Sequence, residues 1–489
     1  RVLMSLPVVK RARHAKSLID RDFDRLNLVD RYARGAHRAP WMPAKANAEF
    51  KDLVKRSIVN VSSLAVEAPL NALRVQGFRK PGSGENAYEW RYWQKNRLDE
   101  RQNAVHRAAL TSGAAYVVVT PDPRKGRREP LIRAYDAIST VAVYADPAWD
   151  EHPLFALHVP EQQPDEDRTV GFLWDDVAKY TVDLDAEPES AVLASEPHGM
   201  GVCPVVRFSP AVDLRGRSRS LVEPLIIPQD RLNQQTLSLL LTEHWGAHAI
   251  RWASGLAPSE RLDPETGDPV RDPETGEPVY DVPSLDPSTL LMAPNSDARF
   301  GQLPTMPTGD LLASRRQTIE EIMGLADVPP HYLAGSNLVN LSADALAAAE
   351  TSFKRFLSTL QDSLGESWES VFRLCALVAG RGEIEQDESQ VEWAEKATRS
   401  LAQAADAMVK LMQQGVPLSV ALRKVPGFSQ ADIDEAVKAA EEAARKAEAA
   451  EAEALKQQKE ATAGGVDSKN RRDPAGGGRV PARAGSAGR

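Results

Sequence analysis

Four acidic residues that lie close together in the chain carry the clearest potential for catalysis. They are Asp136, Asp146, Asp150 and Glu151. Converging carboxylates can hold Mg²⁺ and support a metal-dependent nuclease. These four, however, lie in turn-like sequence such as ADPAWDE, where acidic side chains commonly face solvent. The sequence therefore favours solvated turns, and a DNA-processing nuclease stays an alternative.

The histidine and cysteine residues offer little further chemistry. His244 and His248 lie four residues apart, which places both on one face of a predicted helix at metal-ligand spacing. No third ligand is evident, so a structural or surface role is favoured and we expect no metal. Cys203 and Cys375 lie far apart in apolar sequence, which predicts two buried free thiols.

Motifs of nucleotide-binding proteins and of common hydrolases do not occur in this sequence. We therefore expect no ATP-driven motor, no catalytic residues and no cofactor. The net charge of −9 argues against tight, sequence-specific binding of nucleic acid, which needs a clustered basic surface. The N-terminal residues lack the apolar segment of a signal peptide, and no apolar run approaches the roughly 20 residues that span a bilayer. We expect a protein made in the cytoplasm with no membrane partner.

The elements that must position any site change character along the chain. Three helices and one strand are predicted before residue 113: Lys10–Gly35, Ala44–Glu67, Leu73–Phe78 (the strand) and Glu85–Ser112. Seven short β-rich runs follow: Ala114–Thr120, Leu131–Ala134, Thr140–Tyr144, Leu154–Val159, Thr169–Trp174, Val177–Val182 and Val202–Phe208. Together they predict an α+β fold that is predominantly helical once the rest of the chain is included.

The second half of the chain reads mainly as helices. They are Leu221–Ile250, Gly309–Ala326, a rod from Ser342 to Val378, Glu392–Gln414 and Ala431–Glu460. Between the first two lies a nine-residue repeat, DPETGDPV at Asp263–Val270 and DPETGEPV at Asp272–Val279, which predicts a turn-rich acidic loop. An apolar strand is predicted at Thr289–Ala293. The basic, glycine-rich stretch Ala461–Arg489 is predicted to be disordered.

Charged residues cluster on the predicted helix Gly309–Ala326. Arg315 and Arg316 precede Glu320 and Glu321 by about one helical turn. The simplest interpretation is a solvated face with ion pairs worth a few tenths of a kcal/mol each. The functional alternative is the charged wall of a channel. Sequence physics alone favours the solvated face.

Three stretches of the sequence resemble the portal proteins of tailed bacteriophages, of the type common in siphophages of actinobacteria. The first runs from LLMAPNSDARFGQLPTMPTGD through GLADVPPHYL to SADALAAAE. The others are RYARGAHRAPWMP with the following EFKDLVKRSIVNVSSLAVEAPLNALRVQGFR, and RSLVEPLIIPQDRLNQQTLSLLL. The resemblance covers about residues 20–440 and lies in the order and wording of many segments.

The resemblance implies a portal fold whose parts follow each other along the chain. They are a wing with helices and strands (1–220), a stem helix (221–250), a small clip with short strands (251–306), a second stem helix (307–328), a tunnel loop (329–341), a long wing helix (342–391), a helical crown (392–460) and a disordered basic tail (461–489). Candidates for contact with DNA are Arg315, Arg316, Glu320, Glu321, His331, Asn337 and Asn340.

The resemblance also implies a function and partners. A homo-oligomeric ring of about twelve subunits would sit at the capsid vertex of the virion and conduct double-stranded DNA, without sequence preference, during packaging and ejection. It would dock the terminase large subunit, the head–tail adaptor and the major capsid protein. A structural subunit is therefore expected and not an enzyme. The alternatives are the nuclease described above and a minor capsid-associated structural protein.

Overall fold

A computed structural model describes most of the chain and divides it into two compact units, Arg1–Ala394 and Glu395–Arg489. The described residues are 4–79, 86–124, 126–163, 168–247, 251–254, 259–273, 275–281, 299–302, 307–333, 343–381, 389–394, 401–422, 425 and 430–463. Helices and antiparallel strands both occur, which confirms the prediction of an α+β fold.

Five helices occupy the N-terminal part of the first unit. They are α1 (Val8–Ala33), α2 (Ala48–Arg56), α3 (Leu64–Leu70), α4 (Trp90–Lys95) and α5 (Leu98–Ser112). The prediction of one helix over Ala44–Glu67 is wrong, because residues 57–63 leave the helical path between α2 and α3. Glu85–Ser112 is also split, at Arg97, whose φ of 57° is left-handed. Tertiary contacts override the local helical pattern at residues 57–63, and the left-handed backbone of Arg97 interrupts it between α4 and α5.

The strands form two main antiparallel sheets. The three-stranded sheet has the order β3-β2-β9, with β2 Ala115–Asp122, β3 Gly126–Asp136 and β9 Val205–Phe208. The five-stranded sheet has the order β4-β5-β6-β7-β8, with β4 Thr140–Val143, β5 Phe155–His158, β6 Val170–Trp174, β7 Ala178–Asp183 and β8 Val192–Pro197. All seven predicted β-rich runs after residue 113 overlap an observed strand. The sequence analysis missed β8.

A long helix, α8 (Ala343–Val378), packs its apolar face on the three-stranded sheet. Alternate residues of β2, such as Val117 and Val119, join the buried cluster that contains Leu364 and Trp368 of α8. The intervening Tyr116 and Val118 join a second cluster towards the five-stranded sheet. Side chains of a strand alternate between its faces, so β2 is covered on both sides and forms the centre of the unit.

One further strand pair closes this unit. β1 (Val75–Arg79) pairs antiparallel with β14 (Gln390–Trp393). The prediction of a helix starting at Glu392 is therefore wrong, and residues 392–394 belong to the first unit. Pairing with β1 prevails over the helical pattern of the segment, because strand preference depends strongly on the neighbours available.

Two helices and short strands complete the first unit. They are α6 (Ile226–Ala247), β10 (Arg251–Ser254), β11 (Ser259–Glu260), β12 (Tyr280–Asp281), β13 (Arg299–Gln302) and α7 (Gly309–Leu325). β10 pairs with β13, and β11 pairs with β12. The helix predicted from Leu221 begins only at Ile226, after a 3₁₀ turn at Glu223–Leu225. The strand predicted at Thr289–Ala293 lies outside the described residues.

The second unit contains α9 (Leu401–Gln413), the short α10 (Leu418–Leu422) and α11 (Gln430–Ala463). Ala421, Leu422 and Ile433 are buried within it. The described side chains of α11 beyond Val437 are exposed on all sides. Residues 464–489 of the predicted disordered tail lie outside the described residues.

Candidate functional site

The helices α6 and α7 form an antiparallel hairpin that is joined at its far end by the short strands. Arg231 of α6 makes an ion pair with Glu321 of α7. Gln235 Nε2 donates to Ser314 Oγ at 3.0 Å. The apolar side chains of both helices meet in one buried cluster with Val61 and Phe353. Polar contacts and apolar packing therefore hold the two helices of the hairpin together.

A buried polar hub fastens the start of α6 to the N-terminal part of the chain. Gln229 Oε1 accepts hydrogen bonds from the N–H groups of Val61 (3.1 Å) and Ser62 (2.9 Å), while its Nε2 donates to the carbonyl of Val59 (2.6 Å). Asn233 Oδ1 accepts from the N–H of Val59 at 3.2 Å. Buried backbone groups in this non-helical segment need partners, and α6 supplies them.

His37 extends this hub to α1. Its Nδ1 accepts from Asn233 Nδ2 at 3.0 Å, and its Nε2 lies 3.1 Å from the carbonyl of Tyr32. These two contacts require the tautomer with the proton on Nε2. Burial lowers the pKa of His37 below its ordinary value, so the imidazole is a neutral connector. The Tyr32 hydroxyl in turn donates to Asp230 on α6.

The sequence analysis missed this hub, although one signal was available. Gln229 and Asn233 are four residues apart, so they share one side of the helix, and both are fully buried there beside Leu232. Polar residues at buried helical positions require partners. Their partners lie more than 160 residues earlier, and sequence spacing contains no information on that contact.

The predicted charged residues of α7 do not share one face. Arg315 is half-buried at the seam with α6, where its Nε donates to Thr236 Oγ1 at 3.2 Å. Glu321 pairs with Arg231 across the same seam. Arg316 and Glu320 are exposed on the opposite side of the helix. On the side of α7 away from α6 the candidates are thus one cation and one anion, a face of mixed charge.

The described start of the segment after α7 contacts α8 through two adjacent residues. His331 Nε2 lies 3.9 Å from Glu350 Oε1, and the ring of Tyr332 packs edge-on against Phe353 with centroids 5.6 Å apart. Asp327 adopts a left-handed φ of 54° where the chain leaves α7. The candidates Asn337 and Asn340 lie outside the described residues, so their predicted contact with DNA stays a prediction.

Three of the four carboxylates that suggested a nuclease shape their own turns. Asp136 Oδ1 accepts from the N–H (2.9 Å) and hydroxyl (2.7 Å) of Ser139. Asp146 Oδ1 accepts from the N–H of Ala148 at 3.0 Å, and Asp150 Oδ2 accepts from the N–H of Asp146 at 2.7 Å. Carboxylates that accept local backbone N–H groups are typical of turns, as the favoured interpretation predicted.

The fourth carboxylate, Glu151, connects its loop to α8. Its Oε1 accepts from Ser370 Oγ at 2.8 Å and from Arg373 Nη1 at 3.0 Å. Burial alone would raise the pKa of Glu151, but these hydrogen bonds and the charges of His152 and Arg373 lower it. Among the described residues, no group of three or more His, Cys, Asp or Glu side chains is arranged to hold a metal ion.

The remaining candidates have structural surroundings. His244 Nε2 lies 2.8 Å from Glu49 Oε1, and His248 lies outside the described residues. Cys203 and Cys375 are free and buried, which confirms that prediction. Within the part of the chain that the structure describes, no helix is both long enough and apolar enough to cross a bilayer.

The DPETG repeat folds into two successive turns of the same design. Gly267 N–H bonds to the Asp263 carbonyl (2.8 Å), and Gly276 N–H bonds to the Asp272 carbonyl (2.9 Å). Both glycines have positive φ, 76° and 71°, which glycine adopts without strain. Arg261, Val270 and Val279, spaced nine residues apart, are joined by three backbone hydrogen bonds of 2.8 Å. Val270 N–H donates to the Arg261 carbonyl, Val279 N–H to the Val270 carbonyl, and Arg261 N–H to the Val279 carbonyl.

The chain is similar to proteins of one family over most of its length. A family model described as phage portal protein, SPP1 Gp6-like, matches residues 16–462. The portal protein of Mycobacterium phage D29 is 25% identical over 405 residues, which cover 77% of each chain. That of Mycobacterium phage L5 is 24% identical over 383 residues, which cover 73% of each chain. A chain in the neck of a native GTA particle, computed with C12 symmetry, has a TM-score of 0.38 and 14% identity, and the match covers 80% of this chain and 94% of that one.

Proposed function

The chain belongs to the family of phage portal proteins of the SPP1 Gp6-like type, and we propose that it conducts double-stranded DNA through a ring of its own copies. As a portal subunit it is a component of the virion. The ring, of about twelve subunits, occupies the capsid vertex, where DNA enters during packaging and leaves during ejection. The hairpins of α6 and α7 from all subunits together surround the channel.

The observation that carries this proposal is the mixed charge of the exposed face of α7. Arg316 and Glu320 lie one turn apart on the exposed side of α7 that is opposite its seam with α6. A basic surface would bind the phosphates tightly, because it releases counterions from the DNA. A face with one cation beside one anion gives weak contact that does not depend on base sequence. Such a face suits a conduit better than a clamp.

The remaining parts follow the order of the chain. Residues 1–220 and α8 form the wing, residues 251–306 with the two DPETG turns form the clip, and α9 to α11 form the crown. The clip docks the terminase large subunit during packaging and the head–tail adaptor afterwards, and the wing contacts the major capsid protein. We further infer that the chain is not an enzyme, which is supported by the local structural roles of Asp136, Asp146, Asp150 and Glu151.

Photo-crosslinking in DNA-filled particles tests the conduit and the orientation of α7 together. A photoreactive amino acid placed at Arg316 or at Glu320 should form adducts with the packaged DNA after irradiation. The same amino acid at His14, which is exposed on α1 in the wing, should form none. Adducts are detected as labelled protein that survives denaturation and disappears after nuclease digestion.

Two results would count against the proposal in different ways. If variants at both α7 positions assemble into filled particles but give no adducts, α7 does not line the channel. If the purified chain forms no ring under any assembly condition, the conduit itself is wrong.

A further inference from the structure

Two surfaces of unlike chemistry lie at opposite edges of the five-stranded sheet. The strand order places β4 at one edge and β8 at the other. With neighbouring strands about 4.8 Å apart, the two edges are separated by roughly 19 Å. β4 runs directly into the loop 145–151, whereas β8 pairs only with β7 among the described strands.

The loop 145–151 is fastened to a second loop, 211–219, and we refer to the two together as the loop pair. Arg207 Nη2 donates to the Pro147 carbonyl at 2.7 Å, and its Nη1 donates to the Gly216 carbonyl at 3.4 Å. The guanidinium also lies over the ring of Tyr144, 4.7 Å from its centroid. Gly216 has a φ of 74°, and a Cβ there would lie 2.3 Å from Pro147 Cβ. The two loops are therefore in direct contact, and the half-buried Arg207 side chain bonds to both.

Each loop is also fixed internally. Asp150 accepts from the N–H of Asp146, as described above, which closes the first loop. Asp213 accepts from the N–H groups of Arg215 and Arg217, both at 2.9 Å, and from Arg217 Nε at 2.8 Å. Loops that are ordered before they bind lose less conformational entropy on association.

The rigid loop pair presents two large apolar side chains to solvent. Trp149 is 78% exposed and Leu214 is 83% exposed. Beside them, the guanidinium groups of Arg215 and Arg219 have no ion-pair partner within the described residues. An exposed tryptophan on a pre-ordered loop with adjacent cations is typical of a protein–protein contact, in which tryptophan and arginine contribute most of the energy.

The opposite edge of the sheet, which we call the β8 edge, has the complementary chemistry. Val192 and Leu193 are exposed there. Leu193 is the extra residue of a β-bulge opposite Thr181 and Val182, and it is 51% exposed. Glu187 and Glu189 precede the strand and are exposed, with no cationic partner within the described residues. The β8 edge thus combines apolar side chains with carboxylates, and the loop pair combines apolar side chains with guanidinium groups. The two surfaces are complementary in charge.

We propose that the loop pair of one subunit docks on the β8 edge of the next subunit around the ring. A head-to-tail contact requires two different, complementary surfaces on one chain, and a ring closes when these surfaces face in suitable directions. Opposite edges of one sheet meet that requirement. The inference rests on the proposed ring and assigns it a wing-to-wing contact. The carboxylates of Asp146 and Asp150 shape the loop for that contact.

Cysteine cross-linking of the full-length chain tests this contact. A chain with both Leu214→Cys and Leu193→Cys is assembled and treated with a flexible bis-maleimide. The head-to-tail contact predicts a ladder of covalent dimers, trimers and larger species on a denaturing gel. Either single variant should stay monomeric on the gel, because Cys203 and Cys375 are buried and each contact then has only one reactive thiol.

Charge reversal gives an independent measure of the same contact. Arg215→Glu with Arg219→Glu should raise the protein concentration at half-assembly by roughly tenfold, the scale expected for losing two ion pairs and gaining repulsion. Glu187→Arg with Glu189→Arg should do the same, and all four changes together should restore assembly. Mass photometry reads out the fraction of rings.

The outcomes separate this inference from the proposed function. If the unmodified chain forms no rings, the ring itself fails, and the wing contact is overturned with it. If rings form but the double-cysteine chain gives no ladder and the four charge changes give no rescue, only this inference is overturned. The loop pair then belongs to a contact outside the ring.

Discussion

At the scale of single residues, His106 is the side chain whose state is best defined by its contacts. Its Nε2 accepts from Trp368 Nε1 at 2.9 Å, and its Nδ1 lies 3.3 Å from the carbonyl of Leu73. The imidazole is fully buried, and burial lowers the pKa of His106 to about 4. It therefore connects α5, α8 and the segment before β1 as a neutral ring.

This burial makes the stability of the first unit depend on pH. In the unfolded chain the pKa of a histidine is about 6.5, so between pH 6.5 and 4 the unfolded state binds the additional proton and stability falls as pH falls. The loss approaches about 3 kcal/mol at pH 4. His106→Gln preserves one acceptor and one donor but does not titrate, so this part of the decline should disappear. Unfolding free energies from denaturant titrations at pH 7 and 4.5 measure it.

The matched control is His14→Gln, since His14 is exposed on α1. It should retain the full decline. Burial also lowers the pKa of His37, His152 and His158, so some decline should remain in His106→Gln. If the unfolding free energy of His106→Gln falls with pH as steeply as that of the unmodified chain, protonation of His106 does not cause the decline.

The residue scale also shows what sequence can and cannot predict about the site. The turn roles of Asp136, Asp146 and Asp150 followed from Pro, Gly and Asp in their surroundings, because turn chemistry is local. The role of Arg207 did not, because its partners Pro147 and Gly216 come from two separate loops. For Arg316 and Glu320, helical spacing placed the charges, but contacts with α6 decide which of the four candidates face solvent.

At the scale of elements, the break between α4 and α5 depends on one left-handed residue. Arg97 has a φ of 57° and precedes the first residue of α5. An L-residue in this conformation costs roughly 1 kcal/mol, whereas glycine adopts it freely. Arg97→Gly should therefore leave stability unchanged or slightly higher. Arg101→Gly, at an exposed position inside α5, should lower stability by about 1 kcal/mol.

Thermal unfolding of the two variants side by side checks this expectation. The comparison is matched, because both changes replace an arginine by glycine in the same segment. Arg97 also lies 3.8 Å from Glu100 as an exposed ion pair, which contributes little. A clear loss of stability in Arg97→Gly, equal to that of Arg101→Gly, would show that the break is imposed from elsewhere.

Element boundaries show where sequence reasoning stopped. The long helix α8 and the seven β-rich runs were predictable, because their apolar periodicity is strong. The missed strands, β8, β10 to β13 and β14, are all edge strands among the described residues, and strand preference at an edge depends on the neighbour that is available. Residues 57–63 leave the helix because Gln229 and Asn233 supply hydrogen bonds there, which no local pattern reveals.

At the scale of the whole molecule, membership of the portal family offers a reason why large apolar side chains are exposed to solvent. Trp149, Leu214 and Ile227 are more than three-quarters exposed. Large exposed apolar patches are rare on monomeric proteins and mark interaction sites. Sequence analysis could predict a ring only through resemblance, because a contact between copies leaves no periodicity within one chain. The surfaces that we propose for this contact lie at opposite edges of one sheet, which only the fold reveals.

The segment between α7 and α8 provides the sharpest test at this scale. Its first residues contact α8, His331 through Glu350 and Tyr332 through Phe353. Replacing residues 334–340 by a short Gly-Ser linker leaves both anchors in place. The fold and the ring should therefore survive, while the amount of DNA packaged or retained per particle should fall, because the predicted tunnel loop no longer reaches the DNA.

Ring formation by mass photometry and DNA content per particle must be measured on the same preparations, so that assembly and conduction are separated. Replacing seven residues of the C-terminal stretch, 470–476, by the same Gly-Ser linker is the matched control and should leave DNA content unchanged. If rings lacking 334–340 package and retain DNA as well as the unmodified chain, the segment is a connector between two helices and not a tunnel loop. A loss of rings would instead mean that the segment contacts the neighbouring subunit, since the anchors that hold it to its own chain are still present.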